Sequence, residues 1–191
     1  TVTSELFDGK KGIKIIPCYY KKDYPEWSDR GDGPGAPVGI HLPNSPVIAT
    51  GKRDGSKIRL PNGNYLEETA SYYVMAETKT GGFTPALITM KSTQLNVSKK
   101  WNSMMKTIQI PDGNGGFAIP PMHGVVYNLA STLQKNDKGS WYGWVVNMNR
   151  IMGSEDKSLY IMCKDFNGNV SKGNVQTKAD VEEIAKDNAP F

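Results

Sequence analysis

Residues 92–108, which read STQLNVSKKWNSMMKTI, form one amphipathic stretch between segments that alternate in the manner of β-strands. Apolar side chains recur in it at spacings of three and four residues, as they do on one face of an α-helix. These side chains are Leu95, Val97, Trp101, Met104, Met105 and Ile108. Ser92 precedes them and is predicted to cap the helix N-terminus. The sequence therefore predicts one helix of about four turns in the middle of the chain.

Strand-like segments lie on both sides of this helix. We predict strands at 12–21, in a hairpin spanning 47–60, at 71–76, 85–90, 124–133, 140–148 and 158–164. Strands followed by one helix and then by further strands resemble the order of an OB-fold, a barrel with its helix between the third and fourth of five strands. The predicted fold class is therefore mainly β (α+β), an OB-fold-like antiparallel five-stranded barrel with long loops. A generic α+β sandwich is the alternative.

Composition and charge divide the chain into a body and a tail. The length of 191 residues suits one domain, and 20 Gly with 12 Pro favour short strands joined by many turns. We predict a single OB-like domain over residues 1–178, with a long loop at 22–46 that is rich in Pro and Gly. Residues 179–191 contain four acidic residues and one basic residue, so they form an acidic tail of net charge −3. Since the whole chain carries +4, the body carries +7.

Several classes of chemistry lack the residues that they need. Cys18 and Cys163 are far apart in sequence and belong to no Cys-x-x-Cys motif, so we expect free buried thiols in a reducing cytoplasm. His41 and His123 are the only histidines, which leaves little for a metal cluster or a Ser-His-Asp relay. No Gly-Lys-Ser/Thr sequence is present, and no run of 18 apolar residues occurs. We therefore expect a protein that is not an enzyme, uses no cofactor or metal and spans no membrane.

Aromatic and basic residues alternate along several segments of the chain. Single-stranded nucleic acid is bound by this combination, because cations follow the phosphates while flat rings stack on the bases. We predict a binding surface from these clusters: Tyr20, Lys21, Lys22, Tyr24, Trp27, Arg30, Lys52, Arg53, Lys57, Arg59, Lys99, Lys100, Lys135, Lys138 and Trp144. Aromatic side chains also dominate small protein cores, so some of these rings are alternatively core residues.

Three stretches, at 15–20, 60–64 and 91–102, resemble small proteins encoded in the replication region of tailed-phage genomes. A basic OB-like body followed by an acidic tail that ends on Phe191 is also similar to phage single-stranded DNA-binding proteins, including the podophage type. That resemblance implies a tail that competes with DNA and contacts the replication machinery. It carries no catalytic or binding motif over to residues of this chain.

The residues and the resemblance together favour a non-enzymatic single-stranded DNA-binding protein of phage replication or recombination. Its expected partners are single-stranded DNA, replication proteins that contact Phe191 in the tail, and further copies of the same chain. We expect it in the cytoplasm of the bacterial host cell. The alternative is a structural or assembly protein of the virion, in which the Gly- and Pro-rich loops and aromatic strands provide subunit contacts.

Overall fold

The architecture is mainly antiparallel β, as a computed structural model shows, and the structure describes residues 8–29, 36–137 and 139–175. The strands are β1 (Ile13–Trp27), β2 (Gly39–His41), β3 (Lys52–Asp54), β4 (Lys57–Arg59), β5 (Tyr65–Glu67), β6 (Thr69–Glu77), β7 (Phe83–Lys91), β8 (Ile110–Pro111), β9 (Phe117–Ala118), β10 (Val125–Asn136) and β11 (Gly139–Ile151). The helices are α1 (Pro46–Thr50), α2 (Leu95–Thr107) and α3 (Lys157–Ser171), and short 3-10 turns lie at Ser92–Gln94, Met122–Gly124 and Ser154–Asp156.

Five strands form the curled sheet that the sequence predicts. Their order across the sheet is β11-β10-β1-β6-β7, and every ladder between them is antiparallel. Helix α2 follows the third of these strands in the chain and precedes the fourth, so the prediction of an OB-like fold is confirmed. β7 and β11 share no ladder among the described residues, and α2 packs against both strands. The barrel is therefore partly open, with a helix beside its seam.

The inner side of the curled sheet holds the main apolar core. Trp101 of α2 is 1% exposed and stacks on Tyr72 of β6 at 4.2 Å between ring centroids. Around this pair pack buried residues of all five strands and the remaining apolar residues of the 92–108 stretch. The predicted apolar face of the helix is thus confirmed. Ser92 does not cap it, because the chain makes a 3-10 turn there and α2 begins at Leu95.

The outer side of the sheet is covered in part by α3. Ile16 and Cys18 of β1 pack there against Cys163 of α3, and both cysteines are free and buried, as expected. The prediction of a strand at 158–164 is wrong, because this segment belongs to α3. A short apolar run does not distinguish a strand from a buried helix turn. The spacing of Leu159, Cys163 and Phe166, which all face this second cluster, is helical.

An insertion between β1 and β6 builds a second, smaller sheet. β1 continues to Trp27, so its last six residues lie in the segment 22–46 that the sequence predicts as a loop. These last residues pair with β2 and β5. β5 then pairs with β4, and β4 with β3. Residues 46–50 form α1, so the strand predicted at the start of the 47–60 hairpin is confined to β3. One strand, β1, therefore belongs to both the barrel and the insertion.

Candidate nucleic-acid interface

One face of the insertion brings aromatic and basic side chains together. Lys52, Arg59, Tyr65 and Trp27 are directly opposite one another across β3, β4, β5 and β1. Because side chains of directly paired residues point to the same side of a sheet, these four side chains form one row. Lys57 is two residues from Arg59 on β4 and shares that side. With Lys91 of β7, which reaches Trp27, we call this set the aromatic–basic face.

The cations of this face lie close to its rings. The Lys57 Nζ is 3.5 Å from the centroid of the Tyr65 ring, and the guanidinium carbon of Arg59 is 5.5 Å from it. The Lys91 Nζ is 6.0 Å from the Trp27 ring. Lys52 and Lys91 are exposed, and the other members are half-buried. Rings with adjacent cations match what single-stranded nucleic acid needs, one contact for the base and one for the phosphate.

Carboxylates neutralise part of the charge of the aromatic–basic face. Arg59 forms ion pairs with Asp29 at 3.2 Å and Asp54 at 3.4 Å, and these bonds raise the pKa of Arg59. Lys91 pairs with Glu67 at 3.1 Å. Exposed ion pairs contribute little to stability, because water screens the charges. A phosphate can therefore replace these carboxylates at little cost to the fold, whereas Lys52 and Lys57 form no ion pair with any residue in the described ranges.

A buried carboxylate holds the insertion against β1. Glu26 is 9% exposed, and its Oε1 accepts hydrogen bonds from the side-chain amides of Asn64 at 2.6 Å and Asn62 at 3.1 Å. Its Oε2 is 2.7 Å from Nε2 of His41 on β2. The hydrogen bond from Asn64, with those from His41 and Asn62, lowers the pKa of Glu26 although burial opposes this. Glu26 thus ties two segments of the insertion, β2 and the turn at 61–64, to the strand that carries Trp27.

The other predicted residues of β1 divide between its two sides. Tyr20 is half-buried, and its ring is 4.9 Å from that of the core residue Tyr72. Tyr24 is 8% exposed within the apolar cluster of the insertion, so we leave it out of the interface. Lys22 is on the same side of β1 as these rings and pairs with Glu68 at 2.7 Å. Lys21 alternates with Lys22 and is therefore on the side of Trp27, where it pairs with Asp23.

The remaining predicted residues are spread over four elements. Lys99 and Lys100 are exposed on α2, Arg53 is exposed on β3, and Lys135 is exposed near the end of β10. Trp144 of β11 is 38% exposed, and its backbone N–H donates to the Gln94 side chain at the start of α2. The structure does not bring these residues into the aromatic–basic face. The predicted residues Arg30, Lys138 and Phe191, and the 179–191 tail, lie outside the described residues.

Two members of the aromatic–basic face are absent from the sequence prediction. Tyr65 and Lys91 stand in segments without a dense cluster of basic and aromatic residues. The signal that identifies Tyr65 is alternation: Leu66 is buried, so its neighbours Tyr65 and Glu67 are on the opposite side of β5. Lys91 carries no such signal, because only the fold brings it to Trp27.

Two further features of the described residues bear on chemistry. Within residues 8–29, 36–137 and 139–175, no three His, Cys, Asp or Glu side chains converge on a position where a metal ion fits. Over the same ranges, no helix combines the length and the hydropathy that crossing a lipid bilayer requires.

Comparison with known proteins links the chain to bacteriophages. The model of a family described as Pam3 phage gp34-like protein matches residues 1–176, which is most of the chain. A search of the curated proteins gave no match. A search of the solved structures also gave none. The family match supports the phage origin that the sequence resemblance implies.

Proposed function

The chain belongs to the Pam3 phage gp34-like family, and we propose that it is a non-enzymatic single-stranded DNA-binding protein of phage replication or recombination. The observation that carries the proposal is the row of Trp27 and Tyr65 on adjacent strands, with Lys52, Lys57 and Arg59 around them. Such a protein would act in the cytoplasm of the host cell, where replicating DNA is exposed.

The position of the aromatic–basic face within the fold supports this function. OB-folds bind oligonucleotides on the face of their second and third strands and on the loops between strands one and two and between strands four and five. In this chain β6 and β7 are the second and third barrel strands, and the insertion that carries Tyr65, Lys57 and Lys52 is the connection between the first and second. Lys91 lies at the end of β7, so the face adjoins the third strand as well.

The experiment is a fluorescence titration of the full chain with poly-dT, duplex DNA and RNA at two salt concentrations. Tyr65→Ala is expected to weaken poly-dT binding by about 1–3 kcal/mol, the contribution of one stacked base. Phe117→Ala is the matched control, because Phe117 is a 69% exposed ring on β9, outside the face. A second comparison measures the affinity of the double variant Lys52→Gln/Lys57→Gln. Its control is the double variant Lys164→Gln/Lys172→Gln at α3, which changes the net charge by the same amount outside the face.

Two results would overturn the proposal. One is poly-dT binding that is no tighter than duplex binding at both salt concentrations. The other is an equal effect of the two double-lysine variants, since this would mean that net charge alone determines affinity. Circular dichroism of each variant distinguishes loss of the fold from loss of binding.

The second candidate function is a structural or assembly protein of the virion. Large apolar side chains on loops and on the β8–β9 hairpin favour it: Val38, Leu42, Phe117 and Ile119 are each 58–69% exposed. Large exposed apolar side chains suit contacts between subunits. Sedimentation of the chain without DNA separates the two functions, because ordered assembly in the absence of DNA supports the virion role.

A further inference from the structure

The hairpin of β10 and β11 carries a second group of aromatic and basic side chains, at the far end of β1 from Trp27. Tyr142 is 67% exposed and lies directly opposite Leu133, which is 60% exposed. Lys135 is two residues from Leu133 on β10, so it is on the same side of the hairpin. An exposed ring with an apolar neighbour and a cation is again the combination that binds a base and its phosphate.

An open groove borders this ring. It has a volume of about 630 Å³ and is lined by Lys10, Ser131, Leu133, Tyr142 and Val145, with Ala130 and Thr132 between them. Lys10 is in the turn just before β1, which is held to the hairpin by the hydrogen bond from the Ser131 N–H to the Gly9 carbonyl at 2.8 Å. We call these residues, together with Lys135 next to them on β10, the arm groove.

The charge of the arm groove indicates an anionic occupant. Neither Lys10 nor Lys135 forms an ion pair with another residue in the described part of the chain, unlike Lys91 and Arg59 of the aromatic–basic face. Both lysines are exposed: Lys10 lines the groove together with Tyr142 and Leu133, and Lys135 is two residues from Leu133 on β10. A phosphate backbone that carries bases satisfies the cations and covers the ring in one interaction.

We propose that the arm groove is a second contact for the same single strand of DNA, with a base stacked on Tyr142 and phosphates on Lys10 and Lys135. This inference rests on the proposed function. β1 connects the two contacts, since Ile13 pairs with Leu129 near the hairpin while Trp27 is at the other end of the strand. At about 3.3 Å per residue the path along β1 from Ile13 to Trp27 is about 45 Å, which is an upper limit on the distance between these two residues because the sheet is curled. A stacked strand at about 3.4 Å per nucleotide needs about 13 nucleotides to span it.

The test uses fluorescence anisotropy of labelled oligo-dT probes that are shorter and longer than this span, with about 6 and about 20 nucleotides. Tyr142→Ala is expected to weaken binding of the long probe about 5- to 150-fold, and to change binding of the short probe much less. Lys10→Gln is expected to weaken the long probe and to lower the slope of log affinity against log salt by about 0.7. Phe117→Ala is the matched control for an exposed ring.

The outcomes separate this inference from the function on which it rests. If the wild-type chain binds neither probe, both proposals are overturned. If Tyr65→Ala weakens binding whereas Tyr142→Ala and Lys10→Gln leave both probes unchanged, only the arm groove is overturned. Sedimentation without DNA tests whether a second copy of the chain occupies the groove instead. If Tyr142→Ala changes the oligomeric state but not the affinity for DNA per chain, the groove binds a second copy and the inference is overturned.

Discussion

Replacing Glu26 by Gln should release the insertion from β1 while the barrel stays folded. Gln has nearly the same shape, but it is neutral and presents an amide group where Oε2 now faces His41. Three hydrogen bonds lose their charged acceptor, two of which come from Asn62 and Asn64. Hydrogen bonds to charged groups contribute about 1.5–3 kcal/mol and neutral ones about 0.5–1.5 kcal/mol, so the two bonds from Asn62 and Asn64 should together lose about 2–3 kcal/mol.

Hydrogen exchange measures this loss locally. The apolar cluster of the insertion, which includes Ile58 and Leu66, is separate from the barrel core, so the insertion can open as its own unit. A loss of about 2–3 kcal/mol corresponds to about 30- to 150-fold faster exchange. We expect this acceleration for amides of β2, β4 and β5 at pH 7, and little change for amides of β10 paired with β11.

The effect should depend on pH in a defined direction. The pKa of Glu26 is lowered in the fold, so its contribution is fully present above the unfolded value of about 4.3 and is lost as the pH falls through the folded value. The difference between wild type and Glu26→Gln is therefore expected to shrink below about pH 4.3.

Glu77→Gln is the control for this experiment. Burial opposes ionisation of Glu77, but hydrogen bonds from Lys14 lower its pKa, and Lys14 is itself exposed. A partly exposed ion pair of this kind contributes about 1 kcal/mol or less. The reasoning is refuted if Glu26→Gln accelerates exchange in the insertion no more than Glu77→Gln does, or if its effect is the same at pH 3 and pH 7.

Three further predictions concern the body of the fold. Trp101→Ala should lower the free energy of unfolding by about 3–5 kcal/mol in urea titrations, because it empties the centre of the core. In the wild type, the hydrogen bonds from Arg150 lower the pKa of Asp156 to about 2, so the stability that the ionised carboxylate contributes is lost between about pH 4 and pH 2. Asp156→Asn should therefore make the melting temperature less dependent on pH in this range. Cys18 and Cys163 are both free and buried, so DTNB should label two thiols per chain only after unfolding.

The sequence predicts the parts of the structure that depend on local spacing. The apolar stripe of 92–108 indicates both α2 and its buried face, and the alternation in 124–133 and 140–148 indicates β10 and β11. The sequence does not predict helix α3, because its first turns are a short apolar run that fits a strand and a buried helix equally well. Gly168, which suggests a turn, is tolerated inside the helix at a modest cost.

The candidate interface depends on pairings between distant parts of the chain, and local spacing does not reveal them. Lys52, Arg59 and Tyr65 join Trp27 only through the registers of three short ladders. Glu26 shows no partner in its own segment, because the amides that it accepts from come 36 and 38 residues later. The composition of 20–30 therefore indicates that aromatic and basic residues cooperate, whereas the fold determines which of them do.

The sharing of β1 has a consequence for binding. Trp27 is the last residue of β1, the strand that pairs with β6 and β10 in the barrel. The aromatic–basic face, in which Tyr65 pairs with Trp27, therefore has a fixed orientation relative to β7 and the arm groove. Ordering a mobile loop on binding costs free energy that subtracts from affinity. A surface built on paired strands avoids most of that cost, and the Glu26 hydrogen bonds fix the insertion to the same strand. Loosening the insertion through Glu26→Gln should therefore weaken DNA binding even though Glu26 itself is buried and faces away from the Trp27 row.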